Sequence, residues 1–337
     1  MRAVQLVLFS AIALSCKGKE LAPIDSGVDS GVPEDADADT DADADADADA
    51  DNNDEVGIGV MAQVAAGWTH SCALDDEGGA HCWGSDDDGQ SSAAKKAFLQ
   101  VTAGSYHSCG LRPTGDVKCW TDREMGLDAV PDITFRQISA GAEHTCGIDA
   151  FGSIQCWGAN TYGQATPPEG TYAQVISGAF HSCAMDTGGN ITCWGPESTD
   201  GHTSGPGYAL SSMAAGANHN CGLDSGGTVH CWGANDYGQS TPPTATFSQI
   251  AVGSHHSCAL TSEGVATCWG LNDRGQAMVP AGRYVAIDGG DRHTCAINLS
   301  GALVCWGSDT LGQSTPPASG SGETIDTGSP DTGFSGP

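Results

Sequence analysis

The chain has 337 residues and a formal net charge of −30, and 48 of its residues are glycine. A chain this acidic repels phosphate backbones, which argues against a nucleic-acid-binding protein, and it also repels anionic membrane surfaces. Abundant glycine, sparse aromatic residues and the lack of a long helical periodicity favour short strands joined by many turns.

The N-terminal segment 1–15 has the pattern of an export signal peptide. Arg2 supplies the positive charge, and the apolar run from Ala3 to Leu14 is too short to span a bilayer. A small residue followed by Cys16 resembles a bacterial lipoprotein signal, in which the cysteine carries the lipid. We therefore expect lipidation at Cys16 and a location at the bacterial outer membrane or cell surface. Simple secretion is the alternative.

Residues 16–56 form an acidic segment of low complexity. They contain 15 acidic residues and two lysines, and Asp alternates with Ala from Asp35 onward. Because this composition offers no core and like charges extend a chain, we expect a disordered, solvated stalk. Carboxylate arrays also suit Ca²⁺, although no glycine turn or bidentate Glu follows at EF-hand spacing. The tail 319–337 is expected to be flexible.

Seven copies of one pattern occupy residues 57–318. Each copy has a Gly-x-x-His-x-Cys element followed by Cys-Trp, and successive copies are 37 or 38 residues apart. A period this regular predicts one supersecondary unit per copy, with an upstream strand, a hairpin and a turn-rich connection. Three short strands cannot bury their apolar face alone. The repeats therefore predict an all-β fold, a seven-bladed β-propeller with short antiparallel blades.

Fourteen of the fifteen cysteines lie ten positions apart in pairs within these repeats, and Cys16 is the one left over. Folding the first repeat as a hairpin about Glu77 brings Cys72 opposite Cys82, at a Cα separation of ~4.5–5.5 Å that a disulfide tolerates. Zinc is the alternative, but this spacing lacks the close pairing of a zinc knuckle, and an exported chain meets an oxidising compartment. We expect one disulfide per blade, with no metal and no cofactor. The expected pairs are Cys72–Cys82, Cys109–Cys119, Cys146–Cys156, Cys183–Cys193, Cys221–Cys231, Cys258–Cys268 and Cys295–Cys305.

The repeat resembles the RCC1-type repeat of the regulator of chromosome condensation family. The resemblance rests on Gly-x-x-His-[Ser/Thr/Asn]-Cys, then a turn, then Cys-Trp-Gly-x-[Asn/Asp]-x-x-Gly-Gln, and it covers residues 57–318. The short period is similar to a bacterial branch that includes a secreted, seven-bladed inhibitor of β-lactamase. Two copies depart from the pattern: the second lacks Gly-Gln after Trp120, and the fourth has a longer loop through Gly207.

Two structural expectations concern the ring as a whole. The segment 60–64 precedes the first repeat, so we expect it to join the hairpin of the last repeat and close the ring. The histidine of every repeat is expected to be structural rather than a metal ligand, with its ring bonded to a neighbouring backbone group. These histidines are His70, His107, His144, His181, His219, His256 and His293.

The two residues between the glycine and the histidine vary while the rest of the repeat stays constant. A turn before a strand displays such residues at one rim of a propeller, and Trp, Tyr and Arg are common in binding hot spots. Ordinary surface variation is the alternative. Tyr162 and Tyr237, in the Gly-Gln loops, are secondary candidates expected on a different rim. The candidate partner-binding rim consists of Trp68, Tyr106, Glu143, Phe180, Asn218, His255 and Arg292.

No nucleophile stands beside a unique base, so we expect no catalytic residue. The leading interpretation is a monomeric, non-enzymatic, surface-displayed or secreted module that engages a protein or glycan through one propeller face. The partner is not nucleic acid, and contact with a membrane comes only through the lipid anchor. A secreted enzyme inhibitor of the β-lactamase-inhibitor type is the second interpretation. A propeller hydrolase or lyase is the third, and the sequence shows no blade-specific cluster of carboxylates at the channel.

Overall fold

The computed structural model describes residues 60–94, 97–124, 126–127, 129–196 and 199–317. The proposed signal, stalk and tail lie outside the described residues. The described residues all belong to one compact unit, which begins after position 56. In this part of the chain, no helix is long and apolar enough to cross a membrane.

Seven three-stranded antiparallel sheets account for all the described strands, with one sheet per repeat, as predicted. Within each sheet the strands follow sequence order, and the first strands of neighbouring sheets lie beside one another around the ring. The first strands are β1 Met61–Ala66, β4 Gln100–Ala103, β7 Phe135–Ala140, β10 Gln174–Ser177, β13 Ser212–Ala215, β16 Gln249–Val252 and β19 Tyr284–Gly289. The middle strands are β2 His70–Asp75, β5 Ser108–Leu111, β8 His144–Asp149, β11 Ser182–Met185, β14 His219–Leu223, β17 His256–Leu260 and β20 His293–Asn298. The third strands are β3 Ala80–Gly84, β6 Val117–Trp120, β9 Ile154–Gly158, β12 Ile191–Trp194, β15 Val229–Gly233, β18 Ala266–Gly270 and β21 Leu303–Gly307.

The hairpin between the middle and third strands is fixed by a side-chain cap. In the first blade, Asp75 Oδ1 accepts hydrogen bonds from the backbone N–H groups of Glu77 (3.0 Å) and Gly79 (2.7 Å). Gly78 follows with φ of +83°, a conformation that favours glycine. Asp149 and four further residues cap the corresponding turns, namely Asp186, Asp224, Thr261 and Asn298. We call the end of the propeller that carries these turns the hairpin face.

All fourteen cysteines of the repeats are paired as predicted, with one disulfide in each hairpin. Cys72 lies directly opposite Cys82 in the register of β2 and β3, and the other six pairs occupy equivalent positions. The Cα atoms are 4.0–4.1 Å apart, slightly closer than expected. Because every cysteine of the described residues is used in a disulfide, the repeats offer no thiolate for zinc.

The apolar core is divided among the seven interfaces between neighbouring blades. In one such cluster Leu111, from the second blade, packs against Phe135, Ile138 and Trp157 of the third. Six equivalent clusters complete the ring. A single blade would expose its half of each cluster, so the ring is the smallest unit that buries these side chains.

Hydrogen bonds from the Gly-Gln loops join each blade to the next. The backbone carbonyl of Gln90, in the first blade, accepts from the indole Nε1 of Trp120 (2.9 Å) and from the hydroxyl of Ser108 (3.0 Å), both in the second blade. The indole of Trp157 bonds in the same way to the carbonyl of Leu127, because the second blade lacks the glutamine. Every tryptophan of a Cys-Trp pair therefore reaches into the loop of the preceding blade.

The prediction that residues 60–64 would complete the last sheet is wrong. Strand β1 pairs with β2 of its own blade, and the last blade already has its own first strand, β19. Each of the seven repeats thus supplies three strands, so no sheet needs a strand from the other end of the chain.

The ring is closed instead by the same contacts that join the other blades. The backbone N–H of Met61 donates to the carbonyl of Gly301 in the last blade at 3.0 Å. The carbonyl of Gln313, also in the last blade, accepts from Trp83 Nε1 (3.0 Å) and Ser71 Oγ (3.1 Å). The seam between the last and first blades is therefore equivalent to the other six.

We expect the full chain carrying Cys16→Ser, denatured without reductant, to show no free thiol, because all its remaining cysteines are paired. Each disulfide closes a short loop and contributes roughly 2–3 kcal/mol to the free energy of unfolding. Reduction should therefore lower the melting temperature markedly. Thiol labelling with mass spectrometry, and calorimetry with and without reductant, measure the two effects. A high thiol count, or a melting temperature unchanged by reduction, would contradict the pairing.

Candidate functional site

The turn before each middle strand requires glycine because it packs against the next blade. A Cβ on Gly67 would lie 2.5 Å from the carbonyl oxygen of Gly104, in the second blade, and 2.6 Å from Cε1 of His70. The backbone N–H of Trp68 donates to that same carbonyl at 3.1 Å. The other six turns repeat this close approach, so the seven turns form a ring around the axis.

Mostly small residues line the cavity at the centre of this ring, together with Trp68, Val252 and Asp291. Its volume is about 80 Å³, and its walls come from the ends of the first strands and from the turns that follow. No group of three or more His, Cys, Asp or Glu residues within the described residues is placed to hold a metal ion.

One carboxylate, which the sequence analysis missed, lies beside this cavity. Asp288 Oδ2 accepts from the backbone N–H of Ala66 at 2.8 Å, across the seam between the last and first blades. The hydroxyl of Thr102 makes the same contact with Ala140 at another seam. Burial raises the pKa of the Asp288 carboxyl to about 6. Its position in the repeat indicates a link between blades rather than a catalytic group.

The repeat histidines are structural, but their partner is not the backbone group that we expected. Each imidazole Nε2 bonds a side chain of the next blade, and the seven bonds complete a circle. The bonds are His70–Ser108 (2.7 Å), His107–Thr145 (2.7 Å), His144–Ser182 (2.8 Å), His181–Asn220 (2.7 Å), His219–Ser257 (2.9 Å), His256–Thr294 (2.8 Å) and His293–Ser71 (2.8 Å).

The partners define the tautomer of these imidazoles. Ser108 already donates its hydroxyl proton to a loop carbonyl, so it accepts from His70 Nε2–H. At His181 the partner is the Asn220 side-chain oxygen, which only accepts. The partner also donates to a loop carbonyl at four further seams, so Nδ1 is unprotonated in six of the seven imidazoles. Nδ1 of all seven has no hydrogen-bond partner. Burial lowers the pKa of His70 to about 3 and that of His181 to about 4, which keeps both neutral.

The Gly-Gln loops are ordered by their own side chains. In the first blade, Gln90 Oε1 accepts from the backbone N–H of Asp88 (2.8 Å), and Asp86 Oδ1 accepts from that of Ser91 (2.7 Å). The loop begins beside the turn ring, since the N–H of Ser85 donates to the carbonyl of Thr69 at 2.9 Å. The turns and the Gly-Gln loops thus share one end of the propeller, which we call the loop face.

On the loop face, loop residues of one blade pair with turn residues of the next. Tyr162 lies edge-on to Phe180 with ring centroids 5.8 Å apart, and Tyr237 contacts His255 in the same way at 5.6 Å. The expectation that the two tyrosines lie on a different rim is wrong. The third strand, which contains Cys-Trp-Gly, is antiparallel to the middle strand. The Gly-Gln loop after it therefore lies at the same end of the blade as the turn before the middle strand.

A connected group of side chains crosses the loop face of the first three blades. Trp68 packs edge-on against Tyr106, with ring centroids 5.3 Å apart. The guanidinium of Arg123 lies 3.5 Å from the centroid of the Tyr106 ring. Arg123 also pairs with Asp88 (2.8 Å) and lies 3.8 Å from Glu143. The group therefore draws its members from three different blades.

The remaining candidate residues differ in their surroundings. Arg292 pairs with Asp273 of the preceding loop at 2.6 Å, and Asn218 is exposed. Arg292, Arg274 and Trp68 line a cleft with a volume of about 210 Å³ at the seam between the last and first blades.

Four residues of these groups were not predicted from the sequence, namely Arg123, Asp88, Asp273 and Arg274. Two of them could have been found from their place in the repeat. Asp88 and Arg274 occupy the position in the Gly-Gln loop that the candidate Tyr162 occupies in the third repeat. Arg123 has no such signal, since it lies where the second repeat departs from the pattern.

A profile of the regulator of chromosome condensation (RCC1) repeat matches residues 61–90, 98–120, 135–164, 211–239, 247–276 and 284–313. No curated protein sequence matches significantly.

Several solved propellers have a similar fold. The ectodomain of the Physcomitrella patens receptor kinase CR4 is 28% identical over 74% of each chain, with a TM-score of 0.64. The ectodomain of the Arabidopsis thaliana receptor kinase ACR4 is 23% identical over 73% of this chain and 97% of its own, with a TM-score of 0.62. Prp20p of Saccharomyces cerevisiae is 18% identical over 70% of this chain and 82% of its own, with a TM-score of 0.60.

The buried histidines predict acid sensitivity. Their pKa values lie near 3–4 in the folded chain and near 6.5 in the unfolded chain, so the unfolded state binds more protons between these limits. The melting temperature should fall steeply as the pH is lowered from about 6.5 to about 4. The raised pKa of Asp288 acts in the opposite direction, but it is one group against seven.

Calorimetry across this pH range measures the effect. The change of the free energy of unfolding with pH should correspond to the uptake of several protons on unfolding. His107→Asn should reduce the number of protons taken up by about one. A melting temperature constant down to pH 4 would contradict the burial of seven neutral imidazoles.

Proposed function

The chain belongs to the regulator of chromosome condensation (RCC1) repeat family, and we propose that it is a non-enzymatic binding module that engages another protein through its loop face. The proposal rests on the pairs of aromatic side chains from neighbouring blades that already contact each other on that face. Trp68, Phe180, Tyr162 and Tyr237 are each between 41 and 54% exposed while packed against a neighbour.

Such pairs suit the energetics of protein recognition. Aromatic side chains and arginine dominate binding hot spots, because they bury large areas in contacts that exclude water. A side chain that is already held in place loses little conformational freedom on binding. The packing of Trp68 on Tyr106, and of Tyr106 under Arg123, provides this order before a partner arrives.

The variability of these positions also supports the proposal. Every repeat keeps the glycine, histidine, cysteines and tryptophan that build the seams, whereas the turn and loop residues differ from blade to blade. The constant residues of the repeat therefore present a different side chain at the same turn position in each of the seven blades. Among similar folds, yeast Prp20p binds Gsp1p and histones, and it also binds Kap60.

Seven disulfides indicate an oxidising environment, in which such bonds form and persist. We further propose that the propeller is displayed outside the cytoplasm, at the bacterial cell surface. Cys16 would carry the lipid anchor, and residues 16–56 would serve as a stalk.

The proposal is tested by capture of partners from the extracellular and surface fraction of the source cells. Trp68→Ala, Tyr106→Ala and Phe180→Ala together should reduce the recovered partner at least about tenfold, since they remove the anchor side chains. The matched control combines Phe151→Ala and Leu299→Ala, which are 85 and 67% exposed on the hairpin face. The control should recover the partner at the level of the unaltered chain.

Circular dichroism of both variants checks that the fold is retained. Equal recovery by the loop-face variant and the unaltered chain would contradict the proposal. Loss of the partner in the hairpin-face control alone would assign binding to the opposite end of the propeller.

A further inference from the structure

The aromatic pair Trp68–Tyr106 joins the first and second blades on the loop face. Trp68 is 41% exposed and contacts Tyr106 in a T-shaped arrangement. Arg123 lies over Tyr106 and is held there by Asp88. The pair is therefore fixed in position, with the indole open to solvent.

The charge is strongly negative on the side of this pair that faces the second and third blades, whereas Arg292 and Arg274 line the cleft on the other side of Trp68, where Arg292 pairs with Asp273. Arg123 is the one basic residue in the described turns and Gly-Gln loops of the first three blades, and two carboxylates already share it. The acidic residues in the same turns and loops are Asp86, Asp87, Asp88, Asp122, Glu124 and Glu143.

Four of these carboxylates form no ion pair among the described residues, and Asp87 and Asp122 are the two of them that flank the Arg123–Asp88 pair in sequence. Asp122 is exposed and forms no ion pair there, although its backbone is anchored by an N–H bond to the carbonyl of Asp88 at 2.6 Å. Asp87 is exposed, and its side chain has one long contact, 3.4 Å from the hydroxyl of Ser85. Asp87 is adjacent in sequence to Asp88, which pairs with Arg123, and Asp122 immediately precedes Arg123.

The aromatic rings and the carboxylates together determine which class of partner can bind here. A lysine or arginine side chain is attracted to the face of an indole or phenol ring, and a nearby carboxylate strengthens the attraction. An acidic partner, a nucleic acid or an anionic lipid surface would bring like charges together. A basic protein segment meets both the aromatic surface and the unpaired carboxylates.

We infer that the partner of the loop face is a basic protein segment, whose arginine or lysine side chains lie against Trp68 and pair with Asp87 and Asp122. The inference rests on the proposed protein-binding function and adds both the class of partner and the sector of the face that it contacts. A glycan, which lacks the positive charge, is the competing occupant.

The test uses the full chain and a phage-displayed library of random 12-residue peptides as the probe. Selected peptides should carry a net positive charge with arginine or lysine beside an apolar residue, and higher salt should weaken their binding. The acidic residues of segment 16–56 are present in every variant, so their contribution is the same throughout.

Two matched pairs of variants locate the contact. Asp87→Asn with Asp122→Asn, or Trp68→Ala alone, should weaken binding of a selected peptide about tenfold, as expected for the loss of a central contact. The controls are Asp76→Asn with Glu77→Gln, which remove the same charge from the hairpin face, and Phe151→Ala. They should change the affinity less than about threefold.

The remaining outcomes separate this inference from the proposed function. Selection of neutral or acidic peptides, or no selection above background, overturns the inference. Loss of binding in Phe180→Ala and Tyr237→Ala, with no change in the Asp87, Asp122 and Trp68 variants, also overturns it but leaves protein binding by the loop face standing. Loss in the hairpin-face variants alone contradicts both.

Discussion

The structure depends on one hydrogen-bonded junction, in which a loop carbonyl of each blade accepts the indole N–H of the next blade and, at six of the seven seams, a side-chain donor as well. At Gln90 these donors are Trp120 and Ser108, and Ser108 in turn accepts from His70 of the first blade. One buried hydroxyl thus links a loop, an imidazole and two blades. A buried carbonyl or imidazole without such a partner is costly, so the three groups position one another.

This junction also explains why the candidate binding residues come together. The carbonyl that receives the indole belongs to the Gly-Gln loop, so the loop is drawn over the next blade, beside the turn that precedes its middle strand. Tyr162 consequently meets Phe180, and Tyr237 meets His255. The contacts that hold the ring together therefore also pair the variable residues, and a substitution at those positions changes the surface without disturbing the seam.

The blade architecture and disulfides could be predicted because they follow from local spacing. Cys72 and Cys82 are ten positions apart across a capped turn, and this spacing alone brings them into register. The partners of the histidines could not be predicted, since His70 and Ser108 are 38 residues apart and meet only when blades pack side by side. Arg123 was missed for the same reason, because its partners come from three blades and the second repeat lacks the pattern that would have marked its position.

The error about ring closure has a different origin. The upstream strand of the first repeat was assigned to the last sheet, whereas every upstream strand pairs with the hairpin of its own repeat, as β1 and β19 do. With three strands in every repeat, closure requires no exchanged strand. Closure requires only a hydrogen bond from the tryptophan of the first blade to the loop of the last blade. Trp83 Nε1 donates this bond to the backbone carbonyl of Gln313. The propeller is therefore closed by side-chain and backbone contacts of the same kind as those at the other six seams.

The equivalence of this seam is tested most directly by comparing Trp83→Phe at the closing seam with Trp306→Phe at an interior one. Both indoles are 8% exposed and donate to a glutamine carbonyl, at 3.0 and 2.9 Å. Each substitution removes one buried hydrogen bond and should lower the free energy of unfolding by about 1–2 kcal/mol. We expect equal losses within error. A substantially smaller loss for Trp83→Phe would show that the ring is open between its last and first blades.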